Sequence, residues 1–261
     1  MPASWATTPA YFLVFAFLCG AVGFRLGWRF HHRVALLAAQ SVFGWMAFLL
    51  AWAMVGTGWA AVSVGAWALG TTVTSVYAFL GDPAEADERV FRAAAYRASM
   101  LRWLESGEGP DAHPRAILLR HAREAIWYTA AAMATANFAS IAMGAFLLNT
   151  MNAYVATLLR AGKRTGRVLL LSWNVWSVVR VAAYVMIGAA ASAPLLRFAG
   201  WRVDASAVQR LAIAGAAGLA LDVVLKLTLQ KACGRALRSA VDLAAAKSNR
   251  SSEAPLALHL D

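Results

Sequence analysis

EAIWYTAAAMATANFASIAMGAFLLNTMNAYVATLLR, residues 124–160, runs 37 residues from Glu124 to Arg160 without an interior charge. A helix needs about 20 apolar residues to cross the hydrocarbon of a bilayer. The stretch is therefore too long for one plain span and short for two. Whether it crosses once, or goes in and comes back, decides the topology of everything around it.

Composition places the chain in that setting. Of 261 residues, 61% are hydrophobic and 14% charged, and the mean hydropathy is +0.57. Soluble domains carry about 25% charged residues, so the expectation is an all-α polytopic membrane protein. Eleven Trp and six Tyr suit a chain with many membrane–water boundaries to anchor. The net charge of +11 does not point to nucleic acid, because no basic run is interleaved with exposed aromatics. Cys19 lies within one apolar segment and Cys233 near the end of another, so neither a disulfide nor a metal site is expected. Residues 1–9 carry no basic n-region, and the first apolar stretch is expected to stay as a span.

Five further spans are expected near 10–28, 34–56, 59–81, 168–192 and 207–230. Basic residues collect on the cytoplasmic side of a membrane. If 124–160 goes in and returns, the arginines and lysines of 25–33, 89–123, 160–167 and 231–250 all share one side. Only Arg197, Arg202 and Arg210 then face the other, with Arg180 and Lys226 inside spans. A single crossing would divide the basic residues between both sides. The expectation is about seven transmembrane helices, N-terminus outside and C-terminus cytoplasmic, in a bacterial-type inner membrane. The alternative is six plus a re-entrant hairpin in 124–160, whose irregular backbone would have to be buried in protein. The chain then divides into a three-span bundle (1–81), a cytoplasmic amphipathic helical loop (82–123), a second membrane bundle (124–231), and a helix end with a disordered tail (232–261).

Asp82-Pro83-Ala84-Glu85 reads as a helix start within the central loop, with Asp at the N-cap and Pro at the first helical position. Phe91, Ala94, Ala98, Leu101 and Leu104 follow at helical spacing, and Gly107 and Gly109-Pro110 end the helix. The stripe is an interfacial or partner-docking face, or a connector packing on its own spans. The lipid bilayer and other membrane subunits are the expected partners.

Charged groups inside spans are costly enough to be functional candidates. In RVLLLSWNVWSVVRVAAYVMIG, Arg180 falls near mid-span, and Asp222 of GLALDVVLKLTLQK is the one carboxylate at similar depth. Antiparallel neighbours would pair them. Lys226 sits four residues after Asp222, placed either for an intrahelical ion pair or for its stem to reach the interface near Lys231. Together the three leave one positive charge uncompensated, which would attract an anion, hold a lysine of lowered pKa, or be relieved by a water-filled cavity. Gln40, Asn137, Asn149, Asn152 and Asn174 are candidates for hydrogen bonds between helices, and Gly65, Gly70 and Thr71-Thr72 for close helix approach. His31-His32 belongs to a basic interfacial cluster.

The Asp222-x-x-x-Lys226 pattern in the last span, with Trp173-x-x-Trp176 before it, resembles microbial rhodopsins. That resemblance implies a retinal Schiff base on Lys226 with Asp222 in its counter-ion. The third span, GWAAVSVGAWALGTTVTSVYAFL, lacks the charged cluster that family keeps there. The leading expectation is a transport or translocation component using Arg180, Asp222 and Lys226. A structural subunit docking partners through 82–123 is the alternative, and a retinal protein the third. Catalytic chemistry is not expected, since the spans offer one carboxylate and no nucleophile–base set.

Overall fold

A computed structural model describes residues 8–107, 114–162 and 165–242, and these are helical with no strand among them. The helices are α1 (Thr8–Arg29), α2 (Arg33–Met54), α3 (Thr57–Gly81), α4 (Pro83–Arg89), α5 (Ala93–Ser106), α6 (Pro114–Thr135), α7 (Phe138–Arg160), α8 (Thr165–Ser172), α9 (Val175–Phe198) and α10 (Ala205–Ala240). Six of them, α1, α2, α3, α7, α9 and α10, are long and apolar enough to cross a membrane, which marks a multi-pass membrane protein. The tail beyond 242, together with Gly109-Pro110, lies outside the described residues.

Residues 124–160 form two helices, the second half of α6 and all of α7, joined by a tight turn. Arg115–Arg123, read from sequence as part of the loop, are the first turns of α6, so the segment borrows nearly half of its first helix from the loop. The chain then reverses in two residues, Ala136 and Asn137, both left-handed with φ of 45° and 75°. Thr135 Oγ1 accepts from Ala139 N–H at 2.9 Å and ties the turn shut. The tip is enclosed by protein. Trp45 Nε1, from the middle of α2, donates to Ala136 O at 2.9 Å, and Asn137 packs on Gly188 in the middle of α9. Asn137 is 1% exposed and Ser140 fully buried. Above the tip α2 reaches across to the α9–α10 connection, where Trp52 Nε1 donates to Arg202 O at 3.1 Å.

α7 is the most enclosed of the six apolar helices, packed among α2, α3, α5 and α6. Its amides meet partners across the bundle. Gln40 and Asn149 exchange both hydrogen bonds, at 3.2 and 2.6 Å, and Asn152 Nδ2 donates to Ser75 Oγ at 2.7 Å. Interhelical amide bonds of this kind contribute about 0.6–2 kcal/mol each. Gln40→Leu, which strands the Asn149 amide in the core, is expected to lower stability by that amount in thermal melts. Gln40→Leu with Asn149→Leu is expected to recover most of it. A double variant no better than the single would show that shape, not hydrogen bonding, sets this contact.

The spans differ from the sequence reading in two places. The expected 168–192 helix is broken: α8 ends at Ser172, and Asn174 (φ −47°, ψ 131°) restarts the chain as α9. Arg180 therefore stands two turns from the start of α9 rather than at mid-span. The last span runs on to Ala240, where Asp242 N–H bonds Ala161 O, so 232–240 continues the same helix. Its start is capped by Asp204, whose Oδ1 accepts from Ser206 Oγ, Ser206 N–H and Ala207 N–H. Those bonds hold the Asp204 carboxyl below its ordinary range, the Ser206 hydroxyl most. The cap is thus intact above that range and lost as pH falls through it.

The central loop is bolted to the bundle. Asp82 Oδ1 caps α4 by accepting from Glu85 N–H at 3.0 Å, as the sequence pattern implies. The single helix expected across 82–106 instead breaks at Val90–Arg92, with Arg92 left-handed at φ 60°. Arg89 is 5% exposed: it bonds Trp28 O at 2.7 Å, contacts His31 and Glu85, and lies over the Trp28 ring. Arg97 makes a two-pronged ion pair with Asp87. These arginines are fixed by contacts within the fold.

Candidate functional site

One face of α10 points into the bundle through Gly215, Asp222, Lys226 and Gly234. Gly215 and Gly218 bring α10 against the backbone of α9 at Ala183, so side chains one turn away are held close. Asp222 is fully buried at this contact. Arg180 of α9 clamps it in a fork: Nε donates to Oδ2 at 2.8 Å and Nη2 to Oδ1 at 3.1 Å. Two-pronged guanidinium–carboxylate pairs are the strong, orienting form of this contact.

A third helix joins the pair. His121 of α6, 6% exposed, places Nε2 2.9 Å from Asp222 Oδ2, at ion-pair distance though off the line of a hydrogen bond. Its Nδ1 faces Ile117 O at 2.8 Å. A carbonyl only accepts, so Nδ1 carries a proton. Asp222 thus sits between a guanidinium and an imidazole from two other helices, and a paired carboxylate costs far less to bury than a lone one.

The cluster borders a cavity of about 290 Å³. Both arms of the α6–α7 hairpin line it, with α3, α5 and the broken α8–α9 segment closing the sides. Arg120, His121, Glu124, Arg180 and Lys226 contribute its charged groups. Lys226 does not extend to the interface near Lys231: it is 6% exposed and lines the cavity. The spacing explains this, because four residues on from Asp222 is the same helix face. Tyr184, stacked on Tyr128 at 4.6 Å between ring centroids, stands beside Arg180 on the wall.

The remaining sequence candidates are dispersed. Asn174 lines the cavity at the start of α9, and its Oδ1 finds no partner in the protein. Gln40, Asn149 and Asn152 serve helix contacts, and Asn137 the hairpin tip. Of the stripe on α5, Leu101 and Leu104 are buried in the protein's own core with Tyr154, Leu158 and Leu237, Phe91 and Ala98 are half-buried, and Ala94 is exposed. Trp176 lines the cavity near Lys226, while both oxygens of Asp222 are engaged by Arg180 and His121. Sequence reasoning missed His121, Glu124, Tyr128 and Tyr184. Ile117, His121, Glu124 and Tyr128 do recur at helical spacing, a one-face signal that the surrounding Arg120 and Arg123 conceal.

Among the described residues no group of His, Cys, Asp and Glu has the arrangement to hold a metal ion. No protein-family model matches the chain, and neither a curated protein nor a solved structure matches it.

Proposed function

We propose that the protein is a membrane transport component that moves a small anionic solute through the cavity between α6, α7, α9 and α10. The observation that carries this reading is that Arg180, His121 and Lys226 line one cavity, with the buried Asp222 behind them paired to Arg180 and His121. Arg120, Arg180 and Lys226 outnumber Glu124 on the lining and the buried Asp222 behind it by one, so the site favours an anion. The start of α9 adds to this. It opens on the cavity at Asn174, Trp176 and Ser177 without a side-chain cap, and a helix N-terminus is the positive end of its dipole. Interrupted helices that meet an anion at their N-terminal ends are a recurrent device of transporters. A cavity of this size admits a small solute rather than a folded or extended polypeptide.

In this reading α6 and α7 enter and return from the same side, with the tip at Ala136–Asn137 stopping inside the bundle. The tip's contacts with mid-helix Trp45 and Gly188 support the re-entrant form over two complete crossings. The outward face of α6, with Ile126, Trp127 and Met133 exposed, suits contact with lipid. In the same reading the α4–α5 end, where basic residues gather, faces the cytoplasm of a bacterial-type plasma membrane together with the C-terminus, as the tendency of basic residues to stay inside suggests.

The test is flux in vesicles containing the purified full-length chain. Uptake of chloride, nitrate, phosphate and benzoate is compared with uptake of potassium. At least one anion is expected to pass, potassium is not, and Lys226→Gln is expected to cut the anion flux about tenfold while the melting temperature holds. Vesicles that pass no anion, or a Lys226→Gln protein that transports normally, would return the cluster to a purely structural role.

A further inference from the structure

The charges explain why an anion enters the cavity; its other walls say what kind. Apart from the charged groups the lining is mostly apolar, with a few hydroxyls and Gln230 among it, and its bulkiest members are aromatic and soft: Trp67, Trp103, Trp176, Met100 and Met151 face it from α3, α5, α7 and α9. A site for a bare inorganic anion would surround it with donors and water. Flat rings and thioethers instead suit an apolar, planar body, through stacking and sulfur–ring contacts.

A second observation is independent of the charges. Besides His121, whose Nε2 faces Asp222, four polar side chains among the lining residues are more than nine-tenths buried and have atoms that make no hydrogen bond within the protein: Trp67 Nε1, Tyr154 OH, Tyr184 OH and Asn174 Oδ1. Buried polar groups are ordinarily satisfied, and each exception costs about 1–3 kcal/mol. Trp67 only donates and the two tyrosines readily do, so the idle groups are mostly donors. Tyr184 is held in place by its stack on Tyr128, and Tyr154 by an edge contact with Tyr96. Trp67 Nε1 packs against Gly44 of α2, so the two tyrosine hydroxyls are the donors left for an acceptor beside Arg180 and Lys226, and the rings around them suit a ring attached to it.

We propose that the cavity binds an aromatic organic acid, its acid group meeting Arg180 and Lys226 with the Tyr184 and Tyr154 hydroxyls, and its ring system lying among Trp67, Trp103 and Trp176. This rests on the anion reading above and narrows it to a substrate class. The volume, about 290 Å³, is at the lower end of the roughly 300–1,000 Å³ of small-ligand sites, which limits the body to a few rings.

Calorimetric titration of the full-length protein in lipid nanodiscs tests it with four probes: 2-naphthoate, 2-naphthamide, 2-naphthylmethylammonium and inorganic phosphate. The naphthoate is expected to bind at least about tenfold more tightly than each of the others. Tyr184→Phe and Tyr154→Phe, which delete only idle hydroxyls, are expected to weaken naphthoate binding several-fold with the melting temperature unchanged or raised. Phosphate binding as tightly as naphthoate would overturn the aromatic class and leave anion transport standing. Equal binding of the amide would overturn both. Naphthoate binding that is absent, or that both tyrosine variants leave unchanged, would remove the ligand from this cavity.

Discussion

Asp222→Ala is expected to lower stability by about 3–5 kcal/mol, the usual consequence of removing one partner from a buried ion pair. The carboxylate is fully buried, and its removal leaves Arg180 and His121 facing each other across the void with no counter-charge between them. Asp222→Asn keeps the shape and loses the charge, so a smaller but still large drop is expected. The informative protein is the double variant Arg180→Gln, Asp222→Asn. With both charges gone no ion is left buried without its partner, the new amide at 222 can hydrogen-bond His121 Nε2, and most of the stability is expected to return. Flux is not. If the cluster serves only to lock α6, α9 and α10, the double variant should transport as the native protein does. If Arg180 acts on the solute, stability and flux part company. Thermal melts in detergent read the first quantity and vesicle uptake the second, so neither stands in for the other. A double variant that stays as unstable as Asp222→Asn would mean that this region depends on the geometry of the fork rather than on charge balance.

The pairing of Arg180 with Asp222 was legible in the sequence because an intramembrane guanidinium needs a carboxylate and the spans offer one. His121 was not legible, for a reason that applies to amphipathic helices generally. Charge counting puts the edge of a span where charges begin, and Arg120, Arg123 and Glu124 put that edge at 124. Those charges occupy part of a helix whose other face runs unbroken into the bundle, so α6 starts ten residues earlier and carries His121 in with it. The break at Trp173–Asn174 was hidden in the opposite way. Val168 to Gly188 reads as continuous apolar helix apart from Arg180 and a few small polar residues, and local propensity gives no reason to stop. Asn174 is itself a good residue to begin a helix, yet its side chain makes no cap and faces the cavity, so the interruption is held by tertiary contacts rather than by local sequence. Lys226 shows a third limit. Its depth allowed the stem to reach the interface, but its helical phase is that of Asp222, and phase decided its burial.

Gly70→Ala and Gly65→Ala are expected to move stability in opposite directions, although both glycines lie on α3 and both read from sequence as sites of close helix approach. Without a hydrophobic driving force between helices in lipid, association depends on how closely backbones meet, and small residues set that distance. At Gly70 the backbone of α1 is already in the way: a methyl group there would strike Phe17 O and stand 2.9 Å from the Phe17 carbonyl carbon. Gly20 on α1 returns the contact, its methyl position overlapping Trp67 O and lying 2.7 Å from Thr71 N. These neighbours are main chain, so relief requires the two helices to separate along much of their length. A cost of about 1–3 kcal/mol is expected for Gly70→Ala, and loss of the native bundle for Gly70→Leu. Gly65 is exposed and has nothing within 4 Å of its methyl position. Alanine there adds helix propensity without a clash, and a gain of up to about 1 kcal/mol is expected. The comparison is internal, one methyl group on one helix, and it separates packing from every effect of expression or insertion that the two variants share. Equal effects of either sign in tryptophan-fluorescence melts would show that α1 and α3 do not meet at Gly20 and Gly70.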